Sequence, residues 1–231
     1  MTDRRIILDT ETTGLSVKDG DRIIEIGCVE LLDWRITGNF FHAYVNPERE
    51  ISKSATKVHG ITLDQLEDKP KFAEIAAKFS DFIRDDYIVA HNANFDVRFL
   101  NFELMRAKQR SIIQKENVID TLQIARSMFP GAPASLDALC KRFKISLEQR
   151  KMHGALLDAQ LLARVYMELS KGSQSNFGFD QDKVQGEDQA RHYNQRKFAN
   201  TEEERNKHKE FIKNIEGSVW QKYNSVSESE S

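Results

Sequence analysis

Apolar positions along the chain follow two different periods. Arg5 to Asp9 (RIILD) is a short apolar run, and Arg22 to Leu32 (RIIEIGCVELL) is a second, reached after a loop containing Asp19 and Gly20. Ile36 to Val45 carries Phe40, Phe41 and Tyr44 and ends at an Asn46-Pro47 turn. Runs of this kind, bounded by turn residues, predict three strands. From Phe72 the period changes: Phe72, Ile75, Ala76, Phe79, Phe82 and Ile83 recur at helical spacing. Tyr87 to His91 (YIVAH) reads as a short buried strand, Phe95 to Ala107 as an amphipathic helix, and Val118 to Asp120 as one more strand. Helices are expected over Thr121 to Met128, Ser135 to Phe143 and Ala155 to Leu169. Three strands followed by alternating helix and strand predict an α/β domain whose mixed five-stranded sheet is flanked by helices.

After Leu169 the text changes. Residues 171–195 are rich in Gln, Asp, Gly and Ser, with too little apolar mass to fold alone. TEEERNKHKEFIKNIEG (201–217) is a charged helix candidate, opened by Thr201 with Glu204 three residues on, the spacing of a capping box. The closing SVSESES has the composition of a disordered end. The expected division is a folded domain over 1–172, a flexible linker over 173–195 and a charged segment over 196–231.

Composition narrows the partners. Hydrophobic residues are 39% of the 231 and charged residues 30%, enough for one core, and the mean hydropathy of −0.58 fits a polar tail. The 2 cysteines, Cys28 and Cys140, are too far apart in sequence to suggest a metal motif or a disulfide framework. That fits a reducing cytoplasm. No apolar run approaches the roughly 18 residues needed to span a bilayer, and the N-terminus lacks a signal-peptide pattern, so no membrane role is expected. The net charge of −2 and pI near 6.3 argue against a strong autonomous grip on nucleic acid. They leave room for a nuclease that needs acids at its centre and borrows its grip from a partner.

Four carboxylates carry the candidate chemistry. Asp9 and Glu11 end the first strand, and residues two apart on a strand share a face. Thr12, Thr13 and Gly14 follow, a turn through which backbone can approach a ligand. Asp96 lies in His91-Asn92-Ala93-Asn94-Phe95-Asp96, in the first turn of a helix that follows a strand, where the helix dipole favours an acid. Asp158 is set among Ala155, Leu156, Leu157, Ala159, Leu161 and Leu162, where an ionised group is costly unless paired or metal-bound. Singly, each has a plain structural explanation: a polar loop, a helix start, a buried ion pair. Together they sit at strand ends and helix starts, where open α/β sheets place ligands. Acids gathered in one cleft repel each other without cations, and oxygen-only ligands suit the hard ions Mg²⁺ or Mn²⁺. Two such ions stabilise the attacking and leaving oxygens of phosphoryl displacement. His153, five residues before Asp158, has the acid–base range to take a proton from water.

In this order, DTETTG (9–14), VHGIT (58–62), HNANFD (91–96), SLDALC (135–140) and HGALLDAQ (153–160) resemble the DEDDh family of 3′→5′ exonucleases, which have a ribonuclease H-like fold. The resemblance covers about residues 5–170. It implies two divalent metal ions held by Asp9, Glu11, Asp96 and Asp158, with Asp9 shared between them. It also implies His153 as general base, release of 5′-mononucleotides, and a terminal-nucleotide pocket of Asp9, Glu11, Thr12, Thr13, Leu15, His59, Asn92, Phe95 and Asp158.

Within that family the tail resembles those of the proofreading subunits of bacterial replicative DNA polymerases. Gln174, Phe177 and Phe179 resemble a peptide that docks on the sliding clamp (beta). Residues 196–212 and Trp220 resemble a segment that binds the polymerase alpha subunit. The expected substrate is a single-stranded or frayed DNA 3′ end, with room for a small accessory subunit. The alternatives are a stand-alone RNA 3′→5′ exonuclease with the same acids, which such a tail disfavours, and a non-catalytic adaptor between polymerase and clamp, which the full acid set disfavours.

Overall fold

The computed structural model describes residues 3–109, 113–148, 150, 152–175 and 201–213. Contacts divide the chain into two units, residues 1–180 and 181–231.

The first unit is built on a five-stranded sheet of order β3-β2-β1-β4-β5. β1 (Arg4–Thr12), β2 (Ile23–Leu32) and β3 (Arg35–Tyr44) form an antiparallel meander. β4 (Tyr87–Ala90) and β5 (Val118–Asp120) add in parallel on the other side of β1. This is the mixed sheet expected of the alternating pattern. β1 is central and covered on both faces, which is why RIIL reads as a continuous apolar run rather than an alternating one. Ile6 and Leu8 face a core completed by Phe72, Phe79, Phe99 and Leu100. These come from α2 (Phe72–Ile83) and α3 (Asn94–Arg106). Ile7, with Val29, Leu31 and Val89, faces Ala159, Leu162, Ala163 and Tyr166 of α6 (Ala155–Ser175). α4 (Thr121–Met128) and α5 (Leu136–Arg142) close a third cluster against α6 around Leu139, Cys140 and Val165.

Three differences from the expected elements have local causes. β1 runs three residues beyond Asp9, because Thr10 and Glu11 keep their partners Ile26 and Glu25 on β2 before a register shift at Thr12. A short helix, α1 (Lys53–His59), gives no apolar signal and is nucleated by its cap: the Ser52 hydroxyl accepts from Ala55 N at 3.1 Å. α6 continues from Leu169 to Ser175 through polar residues. Once a helix is nucleated, each further residue adds a backbone hydrogen bond at little cost.

The second unit contains α7 (Glu202–Lys213) among its described residues. Its start is the expected capping box: Thr201 N donates to Glu204 Oε2 at 2.9 Å, and Glu204 N donates to Thr201 Oγ1 at 3.3 Å. Gln174 falls in the last turn of α6. Phe177, Phe179 and Trp220 lie outside the described residues.

Candidate active site

A cleft of about 580 Å³ opens at the end of β1 and is lined by Asp9, Glu11, Asp96, Asp158 and His153. Asp9 and Glu11 come from β1, Asp96 from the first turn of α3, and Asp158 from the first turn of α6, with His153 just before that helix. The structure therefore brings all five expected catalytic residues together. Two close approaches make this possible. A Cβ at Gly27 on β2 would sit 2.2 Å from Leu156 N and 2.3 Å from Ala155 C. Only glycine lets the start of α6 rest on β2, and that contact sets Asp158 beside β1. A Cβ at Gly14 would sit 2.3 Å from Asp21 Oδ2, so glycine there lets the Asp21 carboxylate tuck against the turn after Glu11.

The two helix-borne acids are held differently. Asp96 Oδ1 accepts from Thr10 N at 3.1 Å and from the Thr10 hydroxyl at 2.7 Å. Asp158 Oδ1 accepts from Arg150 Nε at 2.6 Å and its Oδ2 from Arg150 Nη2 at 2.5 Å. Arg150 also pairs with Asp137, and its Nη2 lies 2.7 Å from His153 Nδ1.

The electrostatics of the cluster suit a bound cation. Burial, then the repulsion of Asp96, Glu11 and Asp158, holds the Asp9 carboxyl well above the usual carboxylate range, with Arg150 opposing. Burial, then Asp158, Glu25 and Asp96, pushes Glu11 up to about 8. Burial raises Asp96 to about 7 against the lowering effect of the Thr10 hydrogen bonds. Acids this costly to ionise call for compensating positive charge. Glu11, His153 and Asp158 each offer a ligand atom within 4.8 Å of the others. The four carboxylates present only hard oxygen donors, which fits Mg²⁺ or Mn²⁺ better than a soft ion.

The expected nucleotide-binding residues divide. Asn92 and Phe95 line the cleft. Asn92 takes a left-handed backbone (φ 65°), which asparagine tolerates, and its N donates to Asp120 Oδ1 at 3.0 Å. Leu15 stands 80% exposed on the loop after β1, where its carbonyl accepts from Arg98 Nη2 at 3.2 Å. Thr13 is enclosed, its hydroxyl donating to Asp21 Oδ1 at 2.9 Å and accepting from Arg22 N at 3.1 Å. It braces the loop from behind. Thr12 is buried as well, and its hydroxyl donates to Gly14 O at 2.5 Å. His59 lines a second cavity of about 530 Å³ with Tyr44, Gly60 and Gln65. Its Nδ1 accepts from Ile61 N at 3.0 Å, and burial lowers its pKa.

Three further residues shape the site without having been singled out. Thr10 points to the opposite face of β1 from Asp9 and Glu11, and no spacing rule connects it to Asp96. Arg150 stands in a polar stretch where an arginine reads as solvated. Glu25 is 2% exposed, faces Glu11 across the β1–β2 register, and bonds His42 Nε2 at 2.7 Å. A carboxylate inside the apolar run RIIEIGCVELL was the signal for it, of the same kind that marked Asp158.

Comparison with known proteins agrees with this geometry. The family model described as Exonuclease matches residues 6–166, and the chain belongs to that family, as a 3′→5′ exonuclease. Curated relatives named DNA polymerase III subunit epsilon are similar to it across most of the chain. The Rickettsia felis protein of that name is 48% identical over 221 residues, 92% of this chain and 96% of the relative. The Rickettsia typhi protein is 54% identical over 176 residues, 75% of this chain and 77% of the relative. Among solved structures, exonuclease X in complex with 5′ overhanging duplex DNA aligns with a TM-score of 0.58 and 31% identity, covering 74% of this chain and 92% of that one. Among the described residues, no helix is long and apolar enough to cross a membrane.

Proposed function

We propose that the chain is the proofreading exonuclease of a bacterial DNA polymerase III, working in the cytoplasm. It hydrolyses the terminal phosphodiester of a mispaired primer 3′ end and releases 5′-mononucleotides. The observation that carries this reading is the convergence of Asp9, Glu11, Asp96, Asp158 and His153 on one cleft. Similarity to epsilon subunits over 92% of the chain, well past the nuclease fold, supports the replicative setting.

Two divalent ions, Mg²⁺ or Mn²⁺, suit the donor set: Asp9, Glu11 and Asp158 would hold one, and Asp9 with Asp96 the other. When bound, such ions offset the negative charge of the acids and of the phosphate and stabilise the attacking and leaving oxygens. The chain's own residues do the rest. The His153 imidazole, 45% exposed at the cleft mouth, takes the proton of the attacking water. Thr10 fixes Asp96 against β1. Phe95, backed by Phe99 at 4.9 Å between ring centroids, offers an aromatic face to the terminal base beside Asn92. Exposed Leu15 wedges against bases without reading them, as sequence-tolerant editing requires. Thr12, Thr13 and His59 hold the wall behind that subsite.

The domain proper is residues 1–172. A linker over 173–195 carries the clamp-binding peptide with Gln174, Phe177 and Phe179, and residues 196–231 with Trp220 bind the polymerase III alpha subunit. A small accessory subunit is compatible with this arrangement. Such tethering raises the effective concentration of the nuclease at the primer end without a basic DNA-binding face.

The test is mononucleotide release from a 3′-mispaired DNA primer with Mg²⁺ or Mn²⁺, beside Asp9→Ala and beside the ribo equivalent of the primer. Release from DNA that vanishes in the variant is expected. Preference for the ribo primer would turn the reading to an RNA exonuclease, and no release from folded, metal-loaded protein would turn it to an adaptor.

A further inference from the structure

Arg150 is a buried cation set among acids that want one. Its side chain is 7% exposed, and that of Asp158 is 4% exposed. Both oxygens of Asp158 accept from it, Oδ1 from Nε at 2.6 Å and Oδ2 from Nη2 at 2.5 Å. The same Nη2 lies 2.7 Å from His153 Nδ1. A guanidinium only donates, so Nδ1 is the acceptor, and a neutral ring then carries its hydrogen on Nε2. His153 Nδ1 and Asp158 Oδ2 are 3.1 Å apart, two acceptors that Nη2 bridges. In this arrangement the one free lone pair of the imidazole is turned to Arg150 and away from any water in the cleft. The remaining nitrogen, Nη1, pairs with Asp137, which is half exposed at the rim.

Two consequences follow from elementary electrostatics. A cation approaching Asp158 meets a carboxylate with one lone pair on each oxygen already engaged by the guanidinium. It also meets a full positive charge within a few ångströms, in a site of reduced dielectric. The charge of Arg150 is felt across the cleft, where it opposes the rise of both Asp9 and Glu11.

We propose that Arg150 is a positioning residue that latches Asp158 to His153 and competes with the divalent cation for Asp158, so that cation binding draws the guanidinium away from both. Asp137 is the partner that keeps Arg150 at the rim once it lets go. Freed from Arg150, Nδ1 can carry the ring hydrogen, and Nε2 becomes the proton-accepting position. The acid and the base of the α6 side are thereby switched together, and the site is held in check until the cation arrives. Arg150 lies between α5 and α6, outside regular secondary structure, so its departure breaks no helix or strand. The latch rests on the metallonuclease reading above.

The experiment is calorimetric titration of Mn²⁺ into the full chain and into Arg150→Gln. Loss of a competing charge beside the ligands is expected to tighten Mn²⁺ binding about tenfold or more, a gain of about 1.4 kcal/mol or more. A merely structural role predicts the opposite sign, since a loosened loop weakens the site. Equal or weaker binding by the folded variant overturns the latch while leaving the nuclease reading intact. Absence of Mn²⁺ binding by the parent chain overturns both. A second measurement needs no neutral variant. The Arg150 Nε–H resonance, assigned by its loss in Arg150→Lys, is expected to be protected from solvent exchange without cation and to lose that protection on saturation with Mg²⁺. Protection that persists in the Mg²⁺-saturated chain overturns the proposal.

Discussion

Asp96 and Asp158 occupy matching places, each in the first turn of a helix and each 3% exposed, yet they are held by opposite means. Asp96 is gripped by neutral donors, the N–H and hydroxyl of Thr10, both part of the central strand. Asp158 is gripped by a full charge carried on a loop side chain. Neutral donors on a strand fix a carboxylate without contributing charge, so they offset only part of the cost of burying Asp96 and its pKa rises to about 7. A guanidinium supplies charge, but a charge that competes with whatever cation the site is built to take. With the proposed latch, one wall of the cleft is rigid and the other adjustable, and His153, the proposed base, belongs to the adjustable wall.

The largest way to break the comparison is to move one wall and leave the other. Gly27→Ala places a methyl against the backbone of Ala155 and Leu156, forcing the start of α6 off the sheet. Displacement of Asp158 and His153 by even about 1 Å is expected to cost about 10²-fold or more in kcat. Asp96 and Thr10 stay in place. Single-turnover kinetics on a short DNA primer reads the loss, and circular dichroism confirms that the sheet persists. Activity within a few-fold of the parent would mean that α6 does not position the site.

The rigid wall is tested more gently. Thr10→Val keeps the strand, the volume and the backbone N–H but removes the hydroxyl that donates to Asp96 at 2.7 Å. A buried carboxylate that loses one of its hydrogen bonds destabilises the chain by about 1–3 kcal/mol. A drop in kcat of about tenfold is expected, as for the loss of one positioning contact worth about 1.4 kcal/mol. Urea denaturation and kcat are the measurements. An unchanged kcat would reduce Thr10 to a packing residue.

The contrast between the walls also shows what the sequence could and could not disclose. The five strands and most of the helices were legible because burial imposes periodicity; of the four candidate acids, Asp158 stood out because it interrupts an apolar pattern, and Asp9, Glu11 and Asp96 because they sit at a strand end or helix start. α1 was not legible, since KSATKVH has no apolar stripe and depends on the Ser52 cap. Thr10 and Arg150 were hidden for a different reason. Each acts on an acid brought to it by the tertiary fold, Thr10 from the opposite face of its strand and Arg150 from a loop whose charge looks solvated. Thr13 shows the converse: its place in DTETTG suggests contact with substrate, whereas its hydroxyl is consumed by Asp21 and Arg22. A linear motif records which residues gather at a site but not which of them face the ligand.

A subtler measurement compares the chain with and without cation across pH. Glu11 rises from 4.5 to about 8 and Asp96 from 3.8 to about 7, so the folded chain holds protons that the unfolded chain has released. Stability without cation is therefore greatest below about pH 4 for these groups and declines as pH rises through about 7 and then 8. A bound divalent ion replaces those protons and removes the decline. The expected result is a thermal shift on adding Mn²⁺ that is several degrees larger at pH 8 than at pH 6. A shift that shrinks as pH rises would mean that the acids do not act as the cation's ligands.

The smallest effect belongs to Leu15, which lies outside both walls. At 80% exposure it gives up little burial on truncation, so Leu15→Ala is expected to leave Tm unchanged. Its side chain nonetheless follows the turn that Gly14, Asp21 and Thr13 hold firmly, and its carbonyl is pinned by Arg98. An exposed apolar group on a braced loop offers a face on which the exposed end bases of a frayed primer can rest. Truncation is expected to raise KM for a single-stranded 3′ end about three- to tenfold, with kcat nearly constant, the mark of binding shared by ground and transition states. A fall in kcat at constant KM would instead place Leu15 in the alignment of the scissile bond, and the adjustable wall would then reach further round the cleft than Asp158 and His153.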